Sequence, residues 1–396
     1  MNSSPAETQE SRRTVAVFCN TFLPYSQTFV WDEIRSHERY AVEVFAWRRR
    51  NAARFPAPVR VARPWFPLTC RDSGFDRRFA AGGIDLVHAH FGWAGALAAR
   101  FARRHSLPLV ITFHGYDVAL LARKALGLPI VWPYILRAQG MLESMDLGLC
   151  ASAELLEMLA ALGVPRSRLA EHRLGVDLER FLPRTRDSST FRVAMVGRLV
   201  EKKGFSDGIG AFALFARRAS GRPLLSVAGS GPLEGELRSQ AARLGIVGLV
   251  DFLGELPHTA ISGLLARSDV LLAPSRIAAD GDRDSGLLSA KEASACECVP
   301  IATRHGGIPS IIDDGVTGFL VDERDVEAIA DRLAVLAGDL RLCRVMGRAA
   351  REKMSREFEL HASVRRLEEH YDEVMRRHTP SDRLLDGGLV ARPSSQ

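Results

Sequence analysis

Short apolar segments alternate with helical segments along this chain, and the alternation occurs twice. In the first half, strand-like runs at 14–18, 84–88 and 108–112 flank helical patterns such as Gly95–Arg104. In the second half, strands are predicted at 191–196, 224–228, 250–253, 270–273 and 299–302, with helices at 208–219 and 235–243. β-rich runs separated by helices indicate βαβ units and parallel sheets. The pattern predicts an α/β protein with two Rossmann-like, doubly wound parallel-sheet domains that face each other across a cleft.

Length and polar segments give the expected domain boundaries. A chain of 396 residues is long enough for two domains of ordinary size. We expect a disordered N-terminus (1–12), a first domain (13–181), a polar linker (182–190), a second domain (191–357), a C-terminal helix packing back on the first lobe (358–378) and a disordered tail (379–396).

Composition is typical of a soluble globular protein, with 46% hydrophobic and 25% charged residues. The first twelve residues lack the apolar region of a signal peptide, and no run of 18 apolar residues is present. Six scattered cysteines without a C-x-x-C pair favour a reducing compartment over a zinc or disulfide scaffold. We therefore expect a cytoplasmic protein.

Positive charge is concentrated in the first half of the chain. Residues 1–186 carry 25 Lys and Arg against 17 Asp and Glu, which gives this half a net charge of +8. The whole chain has a net charge of +6, so the rest of the chain carries −2. The arginines occur singly or in short groups without interleaved aromatic residues, which argues against nucleic acid. An anionic membrane surface, a phosphorylated acceptor and a merely solvated arginine face remain open. Peripheral attachment at the inner face of the plasma membrane is one expectation.

Two cations and two carboxylates in the second half are candidate site residues. Arg198 and Lys203 lie in V-G-R-L-V-E-K-K-G (196–204), between a strand and a helix, where cations and backbone amides favour phosphate. Asp284 and Glu292 are eight positions apart, and Glu292 near a helix start could accept hydrogen bonds from a ribose diol. The alternatives are two surface cations in a turn and a carboxylate that stabilises a helix dipole.

Three other patterns suggest competing chemistry. Asp280-Gly-Asp282 resembles a D-x-D metal motif, but nearby cations make a divalent ion redundant. Ala228-Gly-Ser-Gly231 suggests a dinucleotide site, yet the full G-x-G-x-x-G is absent after the first strand. His88 and His90 form an H-x-H pair without an evident third ligand, so a loop or acceptor contact is favoured over zinc.

Taken in order, the motifs of the chain resemble glycosyltransferase family 4, the retaining family with the GT-B fold. The second-half blocks are V-G-R-L-V-E-K-K-G, A-G-S-G-P-L (228–233), D-F-L-G (251–254), S-D-V-L-L-A-P-S (268–275), D-x7-E (284–292), T-R-H-G-G (303–307) and D-D-G-V-T-G-F-L-V (313–321). Weaker first-half blocks are 87–91, 112–117 and 174–181, and S-Q-T-F-V (26–30) is similar to a loop of exopolysaccharide-assembly members.

The resemblance implies a role for each matching residue. Arg198 and Lys203 would hold the diphosphate, Glu292 the ribose, and His114 and Asp284 the donor sugar. Gly229, Gly231 and Leu253 would lie at the nucleotide. No cofactor or metal is implied beyond a UDP- or GDP-linked donor. Two departures stand out, because Asp284 replaces the usual Glu, and Glu297 occupies a helix-ending stretch where the family has glycine.

The expected function is retaining transfer of a sugar to a glycan or lipid-linked acceptor in cell-surface polysaccharide biosynthesis. The alternatives are a nucleotide-sugar epimerase or phosphorylase on the same fold, and a non-catalytic glycan-assembly subunit. The sequence names neither the base, the sugar nor the acceptor.

Overall fold

The protein has two parallel sheets, each flanked by helices. The structure, a computed structural model, describes residues 12–24, 27–122, 131–183, 190–279, 281–284 and 286–378. The first sheet contains β1 (Arg13–Phe22), β2 (Tyr40–Arg49), β3 (Val59–Val61), β4 (Leu86–His90), β5 (Leu109–Phe113), β6 (Leu147–Cys150) and β7 (Leu169–Glu171). The second contains β8 (Arg192–Val196), β9 (Leu224–Ala228), β10 (Val250–Gly254), β11 (Val270–Ala273), β12 (Val299–Thr303) and β13 (Phe319–Val321).

Helices connect most of the successive strands in both sheets. In the first lobe they are α1 (Thr28–Arg35), α2 (Phe66–Thr69), α3 (Ser73–Ala80), α4 (Gly92–Arg104), α5 (Tyr116–Ala122), α6 (Trp132–Ser144) and α7 (Ala153–Ala161). The second lobe has α8 (Phe205–Arg218), α9 (Glu234–Arg243), α10 (His258–Arg267), α11 (Leu288–Ala295), α12 (Val326–Gly338) and α13 (Leu340–Glu357), and α14 (Leu360–Arg377) follows.

The strand order of both sheets changes direction beside the first strand. The orders are β3-β2-β1-β4-β5-β6-β7 and β10-β9-β8-β11-β12-β13, with every neighbouring pair parallel. Ligands of such sheets bind at the carboxyl ends of the strands, where this change opens a crevice. The fold therefore confirms the predicted pair of doubly wound parallel sheets, and it gives each lobe one such crevice.

The last helix, α14, packs on the first lobe rather than on the second. Its side chains Leu367, Tyr371 and Val374 are buried in one core with residues of β1 and β2. Glu368, which is fully buried, accepts hydrogen bonds from the backbone N–H groups of Glu38 and Arg39. Helix α14 thus completes the face of the first sheet that α1 begins.

Several elements differ from the sequence expectations. The predicted strand 84–88 is shifted to β4, and the helical stretch 325–377 is divided into α12, α13 and α14. Strands β2, β3, β6, β7 and β13 were not predicted. The expected disordered termini, apart from residue 12, and most of the linker (184–189) lie outside the described residues.

Candidate active site

The two lobes enclose a cleft of about 1730 Å³ whose lining comes from both sheets. Its walls include residues that follow β4 and β5 in the first lobe and β8, β9 and β11 in the second. Six of the predicted site residues line it, namely His114, Arg198, Lys203, Gly229, Asp284 and Glu292. The carboxyl ends of parallel strands thus bring together residues that are up to 178 positions apart in the sequence.

The loop after β8 presents the two predicted cations. It contains a short 3₁₀ turn over Glu201–Lys203 and ends at Gly204, whose φ is 62°. A Cβ atom on Gly204 would lie 1.8 Å from the carbonyl oxygen of Pro274, so only glycine fits between this turn and the end of β11. Arg198 is exposed and lines the cleft.

Lys203 is paired with Asp284 across the base of the cleft. Its Nζ lies 2.9 Å from Asp284 Oδ2, which also accepts a 2.6 Å hydrogen bond from Ser275 Oγ. Burial raises the pKa of Asp284, but Lys203, Lys202 and the Ser275 hydroxyl outweigh it and lower the pKa to about 2. Asp284 is therefore ionised at neutral pH, and Lys203 is half of a largely buried ion pair rather than a surface cation.

The second carboxylate of the D-x-D pattern is also engaged by a cation. Asp282 Oδ1 lies 2.8 Å from Lys202 Nζ, and Asp280 lies outside the described residues. Asp282, one of the two carboxylates that this pattern would offer to a divalent ion, is therefore already paired with a lysine.

Gly229 and Gly231 are required by backbone packing. A Cβ atom on Gly229 would lie 1.8 Å from Gly197 O, and one on Gly231 would lie 2.4 Å from Leu199 O. These glycines therefore let the loop after β9 touch the loop after β8, and their approach to a nucleotide stays a prediction. Gly231 and Leu253 are not among the cleft-lining residues, and Leu253 on β10 is 41% exposed.

Glu292 lies at one end of a polar bridge between the lobes. Its Oε1 is 2.6 Å from His258 Nε2, and Arg180 donates from Nη1 to His258 Nδ1 at 3.0 Å. Arg180 also forms a bidentate ion pair with Asp32 of α1, at 2.8 and 2.9 Å. Because Arg180 donates to Nδ1, His258 carries its proton on Nε2 and donates to Glu292. Sequence reasoning missed Asp32, Arg180 and His258 as members of the site.

His114 faces the cleft from the first lobe, directly after β5. Its ring packs against Phe29 and Phe91, with centroid separations of 5.0 and 4.3 Å. The buried carboxylate of Asp117 accepts hydrogen bonds from the N–H groups of His114 and Gly115 at 3.3 and 2.9 Å. The backbone and the ring of His114 are therefore both fixed, as a residue that positions a ligand requires.

The H-x-H pair belongs to β4 rather than to a loop, and a third potential ligand lies beside it. Oε1 of Glu33, on α1, is 3.1 Å from His90 Nε2 and 4.0 Å from His88 Nδ1, a spacing that could hold a metal ion. Both ring nitrogens of His88 are already bonded, however, to Thr112 Oγ1 at 2.8 Å and to Tyr371 Oη at 2.6 Å. A metal would have to displace the tyrosine.

Two family models match the chain, one on each lobe. Glycosyltransferase Family 4 matches residues 30–180, and glycosyl transferases group 1 matches residues 183–353. The amylovoran biosynthesis glycosyltransferase AmsK of Erwinia amylovora is 31% identical over 306 residues, which cover 72% of this chain and 69% of AmsK. The putative colanic acid biosynthesis glycosyltransferase WcaL of Escherichia coli K12 is 31% identical over 279 residues, covering 69% of this chain and 67% of WcaL.

Solved structures share the fold at low sequence identity. The Anabaena protein Alr3699/HepE in complex with UDP-glucose superposes with a TM-score of 0.73 at 18% identity, covering 91% of this chain and 99% of that one. Sucrose-phosphate synthase from Thermosynechococcus elongatus gives a TM-score of 0.72 at 19% identity, covering 92% of this chain and all of that one. Two Rossmann-like lobes around a cleft are the GT-B fold, and the matching family models and relatives identify a glycosyltransferase. Within that class, this chain belongs to glycosyltransferase family 4.

Proposed function

We propose that this enzyme transfers a sugar, with retention of configuration, from a UDP- or GDP-linked donor to a glycan or lipid-linked acceptor of a cell-surface polysaccharide. The proposal is carried by the exposed Arg198 and the Lys203–Asp284 pair at the carboxyl edge of the second sheet. It is supported by the relatives AmsK and WcaL, which are named for amylovoran and colanic acid biosynthesis. The bound UDP-glucose of the Anabaena neighbour supports a nucleotide-sugar donor.

The residues of the cleft suggest how the reaction proceeds. Arg198 and Lys203 would bind the donor diphosphate with charge-assisted hydrogen bonds, and Glu292 would accept from the ribose hydroxyls. The bond between the anomeric carbon and the diphosphate oxygen breaks, and the acceptor oxygen bonds to the same face of that carbon. The acceptor proton passes to the leaving diphosphate, whose charge the two cations stabilise. Lys203 would exchange its contact with Asp284 for the diphosphate during this step.

A panel of nucleotide sugars tests the proposal. We expect UDP-glucose, UDP-galactose, GDP-mannose or GDP-fucose to raise the melting temperature, because a ligand that binds only the folded state stabilises it. The donor that binds should release its nucleoside diphosphate slowly in the absence of acceptor, and NMR of the first-formed free sugar should show the anomeric configuration of the donor. An inverted sugar would contradict retention. Binding without turnover would instead indicate a non-catalytic subunit.

We also propose that the first lobe attaches reversibly to an anionic membrane surface. Five large apolar side chains of this lobe, here called the rim patch, are 46–79% exposed, namely Val61, Trp65, Leu68, Trp132 and Leu136. Arg137 Nη2 donates to Leu68 O at 2.7 Å and so joins the α2 and α6 parts of the patch. The segment 44–71 contains seven arginines and no Asp or Glu. Apolar and aromatic side chains beside cations are typical of membrane-surface contacts.

This attachment would be peripheral. Over the part of the chain that the structure describes, no helix is long and apolar enough to cross a bilayer. The side chains of Trp65 and Leu68 lie at the rim of the cleft, so a membrane bound there would bring a lipid-linked acceptor to its mouth.

A further inference from the structure

A short segment at the end of the first lobe, residues 177–181, packs against the second lobe and is here called the crossing segment. Phe181 is buried in one core with residues of the second sheet and of α10 and α11. Ser262 Oγ of α10 donates to Arg180 O at 2.7 Å, and Arg351 Nη1 of α13 donates to Phe181 O at 2.8 Å. The backbone that carries the Arg180 side chain is therefore fixed to the second lobe.

Arg180 is the residue of the crossing segment that reaches α1 of the first lobe. Besides its bidentate pair with Asp32, its Nη2 lies 3.1 Å from Asp177 Oδ2. Arg35, also on α1, binds the same two carboxylates, at 3.2 Å from Asp32 Oδ1 and 2.7 Å from Asp177 Oδ2. Two arginines and two aspartates thus alternate in a closed ring across the lobe boundary. Because a bidentate pair fixes geometry as well as charge, this ring holds Arg180 in one orientation.

The same guanidinium also reaches the donor half of the cleft. Arg180 Nη1 donates to His258 Nδ1 at 3.0 Å, and His258 Nε2 lies 2.6 Å from Glu292 Oε1. Arginine has only donors, so a neutral His258 carries its proton on Nε2, and a charged His258 is protonated there as well. His258 therefore donates to Glu292 whichever charge its ring carries.

Only one oxygen of Glu292 takes part in this series of contacts. Oε2 has no hydrogen-bond partner among the described residues, and the side chain, 6% exposed, lines the cleft. A binding group must be held close to its productive geometry by the residues behind it. The contact with His258 at Oε1 provides such support and leaves Oε2 for a ligand.

We propose that His258 and Arg180 are positioning residues that orient the Glu292 carboxylate toward the ribose of the donor, and that Asp32 makes this orientation depend on the contact between the lobes. The proposal rests on the proposed function, in which Glu292 accepts hydrogen bonds from the ribose hydroxyls. Recognition of the nucleotide by the second lobe then requires a carboxylate of the first lobe.

Recognition of the ribose can be measured without catalysis. Isothermal titration calorimetry compares UDP with 2′-deoxy-UDP, which lacks one of the two hydroxyls, and GDP with 2′-deoxy-GDP if the protein binds guanine. The ratio of the two dissociation constants is here called the ribose preference. We expect the wild type to prefer the ribonucleotide roughly tenfold or more, as for a hydrogen bond to a charged group. Glu292→Ala should abolish this preference.

Loss of either positioning residue should change the ribose preference more than the affinity for the deoxynucleotide. His258→Ala and Arg180→Gln should lower the preference at least about threefold, toward that of Glu292→Ala. His258→Gln, whose amide can donate in place of Nε2, should retain more of it than His258→Ala. Because the preference is a ratio measured on folded protein, a general loss of stability leaves it unchanged. A wild-type preference in both His258→Ala and Arg180→Gln would overturn the proposal.

A double-mutant cycle tests whether Asp32 acts through His258 or contacts the nucleotide directly, since Asp32 also lines the cleft. Asp32→Asn should lower the ribose preference of the wild type at least about twofold, because Arg180 loses its charged partner. In a His258→Ala background the same substitution should have no further effect, since residues that act in series are not additive. Additive losses would contradict the dependence on lobe contact.

Glu154→Gln is the matched control. Glu154 of α7 is paired with Arg283 of the second lobe, so this substitution also removes an ion pair between the lobes. Within the described residues, neither partner of that pair is bonded to His258 or Glu292. We expect Glu154→Gln to keep the ribose preference of the wild type. An equal fall in Glu154→Gln and Asp32→Asn would overturn the specific role of Asp32 and Arg180.

Failure of the proposed function is distinguishable from failure of this inference. If no nucleoside diphosphate binds, or if Glu292→Ala keeps the full ribose preference, the role proposed for Glu292 fails and the inference fails with it. If Glu292→Ala loses the preference while His258→Ala and Arg180→Gln keep it, only the inference fails.

Discussion

Arg198 and Lys203 differ in their surroundings although they are five residues apart. Arg198 is exposed to the cleft, whereas Lys203 is held by Asp284 at 2.9 Å. A charge-assisted bond contributes about 1.5–3 kcal/mol. Arg198→Ala and Lys203→Ala should each lower kcat/KM roughly 10- to 150-fold. Arg217→Ala, which removes an exposed arginine of α8 outside the cleft, should leave kcat/KM unchanged.

Of the two variants, Arg198→Ala is the cleaner test, because Lys203→Ala also leaves the Asp284 carboxylate without its nearest cation. Steady-state kinetics and UDP affinity are the measurements. If Arg198→Ala changed neither, the phosphate role of this loop would be excluded.

Glu297 occupies a backbone conformation that disfavours a side chain. Its φ is 59°, which is a left-handed conformation. Glu297 lies two residues after the end of α11, in the stretch where the sequence predicts the end of a helix. Glycine adopts this conformation without steric cost. Glu297→Gly should raise the free energy of unfolding by about 1 kcal/mol. Denaturant unfolding measures the change, and Glu297→Ala, which keeps a Cβ atom, should give no such gain.

The acidic residues near the donor loop allow a test for metal. Asp282 is paired with Lys202 at 2.8 Å, and Asp284 with Lys203, so cations already neutralise both carboxylates. We expect donor turnover to survive EDTA. Loss of activity with the chelator, restored by Mn²⁺ or Mg²⁺, would identify these aspartates as metal ligands and contradict the proposed site.

At the scale of elements, α11 carries a buried lysine beside the candidate ribose ligand. Lys291 is 2% exposed, and its Nζ donates to Leu174 O at 2.9 Å across the lobe boundary. Burial lowers the pKa of Lys291 to about 7. Between that value and the ordinary pKa of lysine, the unfolded chain binds more protons than the folded one. The contribution of Lys291 to stability therefore rises with pH from about 7 to 10.

Comparison of the wild type with Lys291→Met isolates this contribution. The difference in the free energy of unfolding between the wild type and Lys291→Met should change between pH 7 and 10. The change should be at most about 1.4 kcal/mol per pH unit. A difference that stays constant from pH 7 to 10 would show that Lys291 titrates normally in the fold.

At the scale of the whole molecule, the basic first lobe and its rim patch predict binding to anionic vesicles at low salt. Each Lys or Arg near such a surface contributes about 1 kcal/mol within a Debye length. Binding to neutral vesicles should be weak, and about 0.5 M NaCl should abolish both. Neutralising Arg48, Arg49 and Arg50 should reduce sedimentation with vesicles without altering UDP binding.

Neutralising Arg217, Arg218 and Arg222 of the second lobe provides the control, because these exposed arginines lie on the other lobe. This variant should sediment like the wild type. Equal sedimentation with anionic and neutral vesicles would show that the charge of the first lobe is only a solvated face.

The sequence by itself determined the class of fold and most of the donor loop. Apolar runs of strand length between helices indicate parallel sheets, and the loops at their carboxyl ends carry the ligands, so Arg198 and Glu292 could be placed in one cleft from local pattern. The resemblance to the family added Asp284. Strand β3 was missed because its three residues carry too little hydrophobic pattern. Strand β2 was missed although it has ten residues, because its apolar run is interrupted by Glu43 and ends in arginines.

Only the tertiary structure decided which of these groups are partners. Lys203 meets Asp284, which is 81 positions away, and Glu33 meets His90, which is 57 positions away. A carboxylate buried on α1 has the same sequence signature as one exposed to solvent. Burial and the pairing that compensates it depend on which helix is packed over which strand, and local sequence does not contain that information.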